Sequence, residues 1–123
     1  MAIAEETLAA GFAGLKIKAG FPTFDEDLAA VRAAKRALGD ATALMVDYNQ
    51  SLNLPEAMAR CKVLDGEGLE WIEEPVHADD LEGCARIADA VTTPIQIGEN
   101  FHGTTEMRAA IAARASDLVM PDA

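Results

Sequence analysis

Two hydrophobic rhythms alternate along this chain. Short, dense apolar runs have the pattern of β-strands. The stretches between them repeat their apolar positions every three to four residues, as amphipathic helices do. Residues 3–10 read as a helix stopped by Gly11. Gly14-Leu15-Lys16-Ile17-Lys18-Ala19-Gly20 reads as a strand, its period of two placing Leu15 and Ile17 on one face and Lys16 with Lys18 on the other. Thr23-Phe24-Asp25-Glu26 has the form of a capping box and opens a helix through Leu28, Val31 and Leu38, which Gly39-Asp40 ends. Leu44-Met45-Val46-Asp47-Tyr48-Asn49 is the second strand. Asn53, with Pro55 in the first turn and Glu56 three residues on, starts a helix running to about Leu64. Gly66 and Gly68 then turn the chain into Glu70-Trp71-Ile72-Glu73-Glu74-Pro75, a short strand halted by proline. A helix over about 79–90, a strand at 95–100, a helix over about 103–113 and a strand at 117–122 complete the series.

Strict alternation of helix and strand argues for a parallel sheet covered by helices, an α/β fold. The series opens on a helix and closes on a strand, so both ends look cut. A complete (β/α)8 barrel takes about 250 residues, and this chain has 123. The pattern fits either a small doubly wound domain or a five-strand segment of a TIM-type barrel.

Composition narrows the partners more than the fold. A net charge of -11 with no basic tract argues against nucleic acid or an anionic membrane surface as partner. Neither a signal-peptide core nor a membrane-length apolar run is present, so a cytoplasmic location is expected. Cys61 and Cys84 fit no zinc spacing and read as reduced thiols in the core.

The candidate chemistry lies where the strands end. Glu73 follows Asp47 by 26 residues, and Glu99 follows Glu73 by the same 26. Such a period suggests a repeated unit whose strand ends point at one place. In parallel α/β folds active sites form at the carboxyl ends of strands. The residues there are Lys18, Asp47, Glu73, Glu99 and Asp122, with Lys16 and Asn49 two residues away on the same faces. Three carboxylates make a hard oxygen site of the kind Mg²⁺ takes. Lys18, next to Lys16 and a metal, could serve as a general base. Metal and base together suggest abstraction of a proton beside a carboxylate, the metal stabilising the enediolate.

Taken singly, each residue has a plainer reading. An acid at a strand end is commonly a turn residue or helix cap, and Lys-x-Lys on an amphipathic strand is commonly solvated. Trp71 and Met45 read as core. Glu74 faces away from Glu73 and reads as a surface or supporting group, and His77 and His102 read as surface loop residues. Only the combination outweighs these.

At this point the sequence resembles the mandelate racemase group of the enolase superfamily. The likeness is carried by Leu15-Lys16-Ile17-Lys18, Met45-Val46-Asp47-Tyr48-Asn49-Gln50-Ser51-Leu52, Trp71-Ile72-Glu73-Glu74-Pro75, Gly98-Glu99-Asn100 and Met120-Pro121-Asp122-Ala123, in register over essentially the whole chain. The resemblance implies that Asp47, Glu73 and Glu99 ligate Mg²⁺ and that Lys18 removes the α-proton. It implies that Lys16 contacts the substrate carboxylate and depresses the pKa of Lys18, and that Asn49 lies near the substrate. Asp122 matches an aspartate that orients a histidine base from the next strand. Gly-Glu-Asn together with Asp122 favours this group over the muconate-lactonizing one.

Residues 1–123 are thus expected to form part of a C-terminal barrel domain, lacking the capping domain, the first strand and the last strands. The histidine partner of Asp122 and the acid that meets the enediolate would lie beyond residue 123. The expected function is that of a fragment of a racemase or acid-sugar dehydratase acting on a small carboxylate, inactive alone, with a homo-oligomer or other association covering the open barrel face. Two alternatives are a receiver-like signalling domain, which Lys18, Glu99 and Asp122 fit poorly at their strand ends, and a non-catalytic metal-binding remnant.

Overall fold

Five helices and five strands alternate among residues 2–121, the residues that this computed structural model describes. They are α1 (Ala2–Ala9), β1 (Gly14–Lys18), α2 (Phe24–Leu38), β2 (Ala43–Asp47), α3 (Leu54–Leu64), β3 (Ile72–Glu73), α4 (Leu81–Ala90), β4 (Ile95–Ile97), α5 (Thr104–Ala112) and β5 (Leu118–Val119). The helix starts obey local chemistry. Thr23 and Glu26 close a reciprocal capping box on α2, Asn53 accepts from Glu56 N on α3, and Asp80 accepts from Gly83 N on α4. The strands are shorter than their apolar runs. β3 stops at Glu73 because Glu74 turns into the left-handed region, with φ of 41°.

All strands are parallel, in the order β1-β2-β3-β4-β5. That order decides between the two architectures left open by the sequence. A doubly wound sheet reverses direction at a switch point, in receivers as 2-1-3-4-5. Here each strand is added on the same side as the last, the winding of a barrel. The doubly wound reading, and with it the receiver-like domain, is overturned by this topology.

Singly wound βα units place every helix on one face. Leu44, Val46, Ile72, Ile95 and Ile97 are buried against Val31 and Leu38 of α2, Ala57, Cys61 and Leu64 of α3, Cys84 and Ile87 of α4, and Ala110 of α5. Fully burying one such aliphatic side chain is worth about 1.5–3 kcal/mol, so this layer holds the fold. Both cysteines are free and buried, as expected, and burial pushes their thiols up to about 12 for Cys61 and about 11 for Cys84. Among the described residues the opposite face has no helices. Trp71 and Met45 lie there, half-buried, and not in the helix-packed core that their size suggested. Alternation alone does not say which face of a strand is covered. Leu118 and Met120 are exposed. No helix among the described residues is long and apolar enough to cross a membrane.

The end of α3 is tied to the start of β4 by Asp65, whose carboxylate accepts from the Thr92 and Thr93 N–H groups and the Thr92 hydroxyl. Burial opposes its ionisation, but these hydrogen bonds, from Thr93 and Thr92, outweigh that and hold it down at about 2. Its stabilising effect is therefore complete above the unfolded value near pH 4 and fades as pH falls toward 2. Asp65→Asn is expected to be less stable than the unaltered chain at pH 7 and to lose less stability between those limits. Denaturant unfolding at a series of pH values measures this.

Candidate active site

Strand alternation sets up the site. With the aliphatic side chains of β1 to β4 facing the helices, the intervening positions must face the other way. Register then lines up Lys18, Asp47, Glu73 and Gln96 across four adjacent strands, at or near their carboxyl ends. Asp47 and Glu73 are buried in this row. Gln96, also buried, was not singled out in the sequence, although its place between Ile95 and Ile97 assigns it to this face.

Glu99 arrives differently. The register partner of Glu73 is Gln96, so Glu99 lies three residues beyond the row, past the end of β4. The equal 26-residue intervals therefore do not reflect a structural repeat. Glu99 reaches the site because the chain turns at Gly98, where φ is 142°. A Cβ there would lie 2.5 Å from the Met120 carbonyl oxygen, so only glycine lets the chain just after β5 pass. The result is that Asp47, Glu73 and Glu99 each offer an oxygen within 4.8 Å of the others. Three hard, anionic oxygen donors this close, with two of the side chains buried, suit Mg²⁺.

The two lysines lie against these acids. Lys16 Nζ donates to both carboxylate oxygens of Glu73, at 2.7 and 2.8 Å, and is 3.6 Å from Asp47 Oδ2. Burial works against its charge, but the Glu73 hydrogen bond and the fields of Glu73, Asp47 and Glu99 outweigh it and raise its pKa. Lys18 Nζ donates to Asp47 Oδ2 at 2.7 Å and to Asn49 Oδ1. The lysines are thus on one face, as their spacing predicted, and each touches a different acid.

A set of buried polar groups, unmarked in the sequence, fixes the loops behind the site. Asp27 of α2 accepts from Gly20 N and Phe21 N in the loop after Lys18, from the Tyr48 hydroxyl just after Asp47, and from Arg60 of α3. Arg60 also donates to the Phe21 and Pro22 carbonyls. Asp27 and Arg60 are both buried, although nothing in the sequence around them singles them out. Closer in, Asn49 N donates to Asp47 Oδ1 at 2.8 Å and Trp71 Nε1 donates to Glu73 Oε2 at 3.1 Å. These bonds aim the two buried acids.

Glu74 is buried, not on the surface, and its carboxylate accepts from Asn100. Burial, followed by the nearby negative charges, raises its pKa against the opposing Asn100 hydrogen bond. His77 and His102 are exposed, as expected. Asp122 lies outside the described residues.

Comparison with known proteins bears on what this arrangement is. The family model described as "Enolase C-terminal domain-like" matches residues 1–123. The chain belongs to the enolase C-terminal domain-like family. Among curated relatives of this enolase-family chain, the L-talarate/galactarate dehydratase of Salmonella typhimurium is 42% identical over 113 residues, covering 92% of this chain and 28% of the dehydratase. The D-galactarolactone cycloisomerase of Agrobacterium fabrum is 37% identical over 117 residues, 95% of this chain and 31% of the relative. The chain thus spans about a third or less of the length of these relatives. Among solved structures, an enolase from the alpha proteobacterium BAL199 with bound Mg superposes with a TM-score of 0.94 at 47% identity, over 98% of this chain and 34% of that one. L-Talarate dehydratase from a Polaromonas species, complexed with Mg and L-glucarate, gives 0.94 at 41% identity, over 97% and 33%. The parallel sheet of the enolase-family chain is a segment of the TIM-type barrel of these enzymes.

Gly98→Ala tests how far the third acid depends on its turn. The new methyl meets backbone and the φ is unfavourable for any side chain, so the expected loss is more than about 1 kcal/mol, measured by denaturant unfolding.

Proposed function

We propose that this chain is the central part of the barrel domain of a Mg²⁺-dependent enzyme of the mandelate racemase group. The enzyme removes the proton α to the carboxylate of a small hydroxy or sugar acid, as a racemase or a dehydratase. The observation that carries this reading is the meeting of three carboxylates from three successive strand ends beside two lysine amines. A catalytically idle turn has no use for five such groups at one point, and three carboxylates against two ammonium groups leave negative charge for a further cation to offset.

Asp47, Glu73 and Glu99 would hold the ion. When bound, Mg²⁺ supplies positive charge for the substrate carboxylate as negative charge builds up on it. Lys18, the more exposed of the two amines, gives its own proton to solvent, leaves Asp47 and then takes the α-proton on Nζ. Lys16 meets the substrate carboxylate by exchanging Glu73 for it. Asn49, held to Lys18, lies where it can touch the substrate and steady the base. Asp122 orients a histidine carried by a strand beyond residue 123. The acid-sugar names of two relatives, and the glucarate bound to a third, support a polyhydroxylated carboxylate as substrate class. Further strands of the barrel, or a second subunit, cover the face that carries Trp71, Leu118 and Met120. A cytoplasmic location accords with this metabolic role.

Glu99→Gln removes one anionic ligand and is expected to abolish measurable Mg²⁺ binding in calorimetry. Unchanged affinity would end the assignment of the three acids to one ion. In the full-length protein, Lys18→Ala should stop loss of the α-deuteron from a labelled sugar acid to water while leaving Mg²⁺ affinity within a few-fold. Undiminished exchange in that variant would rule Lys18 out as the base.

A further inference from the structure

Glu74 has no part in the reaction just described, yet it is completely buried and holds a left-handed backbone that side chains rarely adopt. A buried carboxylate is costly unless its oxygens are bonded. The partners it finds lie on either side of it, in β4 and in the loops after β2 and β4. Its N–H donates to the Gln96 carbonyl in β4 at 3.0 Å, and its carbonyl accepts from Gln50 N, after β2, at 2.8 Å. Its side chain accepts from Asn100 Nδ2 at both oxygens, at 2.8 and 2.9 Å.

Asn100 directly follows Glu99. The other two acids of the cluster are aimed by a strand, by burial and by the Asn49 and Trp71 bonds. Glu99 is exposed and stands past the end of β4, so neither strand alternation nor packing sets its direction. The turn is closed on itself by Phe101 N, which donates to the Gly98 carbonyl at 3.0 Å, and the Asn100 bond to Glu74, just past β3, is what ties it sideways to the neighbouring strand.

We propose that Glu74 is a positioning residue for Glu99: acting through Asn100, it clamps the turn after β4 and so keeps the third carboxylate within coordinating distance of Asp47 and Glu73. This rests on the reading that the three acids share one divalent ion. The clamp belongs to the base of the site and touches neither ion nor substrate. Its weight falls on metal affinity, because losing it leaves Glu99 to sample turn conformations that point elsewhere.

The test is Mg²⁺ titration by calorimetry on the full-length protein, with thermal unfolding in excess chelator run alongside. Asn100→Ala keeps every charge of the cluster and alters an exposed side chain, so it should fold. It is expected to bind Mg²⁺ about 10- to 100-fold more weakly, the usual effect of losing a partner that orients a ligand, and the loss persists under conditions where the variant is fully folded, whatever fall in its unfolding midpoint the unbonded Glu74 carboxylate brings. Glu74→Gln keeps one oxygen that can accept from Asn100 Nδ2 and should weaken binding less than Asn100→Ala does. The double variant Glu74→Gln/Asn100→Asp reverses the direction of the bond, the amide now donating to the carboxylate, and should recover most of the affinity. A role confined to stability predicts a different pattern, with lower midpoints in chelator but Mg²⁺ affinity of the folded variants unchanged. That pattern, or an Asn100→Ala protein that binds Mg²⁺ as tightly as the unaltered one, overturns the clamp. If the unaltered protein binds no Mg²⁺, the shared-ion reading falls, and the clamp with it. If it binds Mg²⁺ and Asn100→Ala makes no difference, only the clamp falls.

Discussion

Mutual repulsion among three carboxylates is the constraint to which the rest of this structure answers. Two unit charges 4 Å apart repel by about 4 kcal/mol at the effective dielectric of a protein surface, and the overall charge of -11 gives no relief. Positive charge has to be brought to the same point. Lys16 and Lys18 bring it from β1, the strand next to the one carrying Asp47, and each ammonium is bonded to a buried acid. The pairing across strands is possible because register places Lys18 directly opposite Asp47 and Asp47 directly opposite Glu73. A slip of one residue would turn the lysines or the acids into the helix layer. The aliphatic face thus does more than stabilise the fold: its fit against the helices is what keeps the charged face in line.

Holding the acids together also shapes the backbone. Among the described residues, four that are not glycine have positive φ, and three of them, Asn49, Gln50 and Glu74, lie just past the ends of β2 and β3. Each such position costs of order 1–3 kcal/mol, so the surrounding bonds must impose it. Those bonds are present: Asn49 N to Asp47, Gln50 N to the Glu74 carbonyl, and Ala78 N to the Gln50 side chain. Further out, the buried Asp27–Arg60–Tyr48 cluster ties the loop after Lys18 to the residue after Asp47. The charged site is therefore mounted on strained but cross-linked turns, and the strands themselves can be very short.

Most of the element order was legible because caps and periodicity are local. Thr23 with Glu26, and Asn53 with Pro55, announce helices without reference to the rest of the chain. Asp47 and Glu73 were legible too, since alternation beside buried aliphatics leaves them a single direction. What could not be read depends on non-local facts. Alternating helix and strand describes both a doubly wound sheet and a barrel segment, and only the spatial strand order separates them. Trp71 and Met45 were read as core because nothing in a strand says which of its faces receives helices. Asp27 and Arg60 look like ordinary helix charges until the helices are packed and each finds the other. For Glu74 the sequence left a surface and a supporting place open, and burial removes the first; a left-handed turn at a glutamate carries no glycine or asparagine to mark it.

The apparent period of the acids is instructive in another way. Two equal intervals suggested one repeated geometry, but only the first interval is a register step. The third acid comes from a turn, not from a strand, so its place is not set by the register of the sheet. Relatives that share this part of the chain carry the names of dehydratases, cycloisomerases and epimerases. Under the function proposed here, these outcomes have proton removal in common and part company afterwards, at whatever protonates the intermediate or expels a group. A row fixed by register suits the common step, because it cannot drift. The groups that distinguish the outcomes belong on loops, where a change of reach or angle leaves the aliphatic face undisturbed, and Glu99 already stands on the boundary between the two.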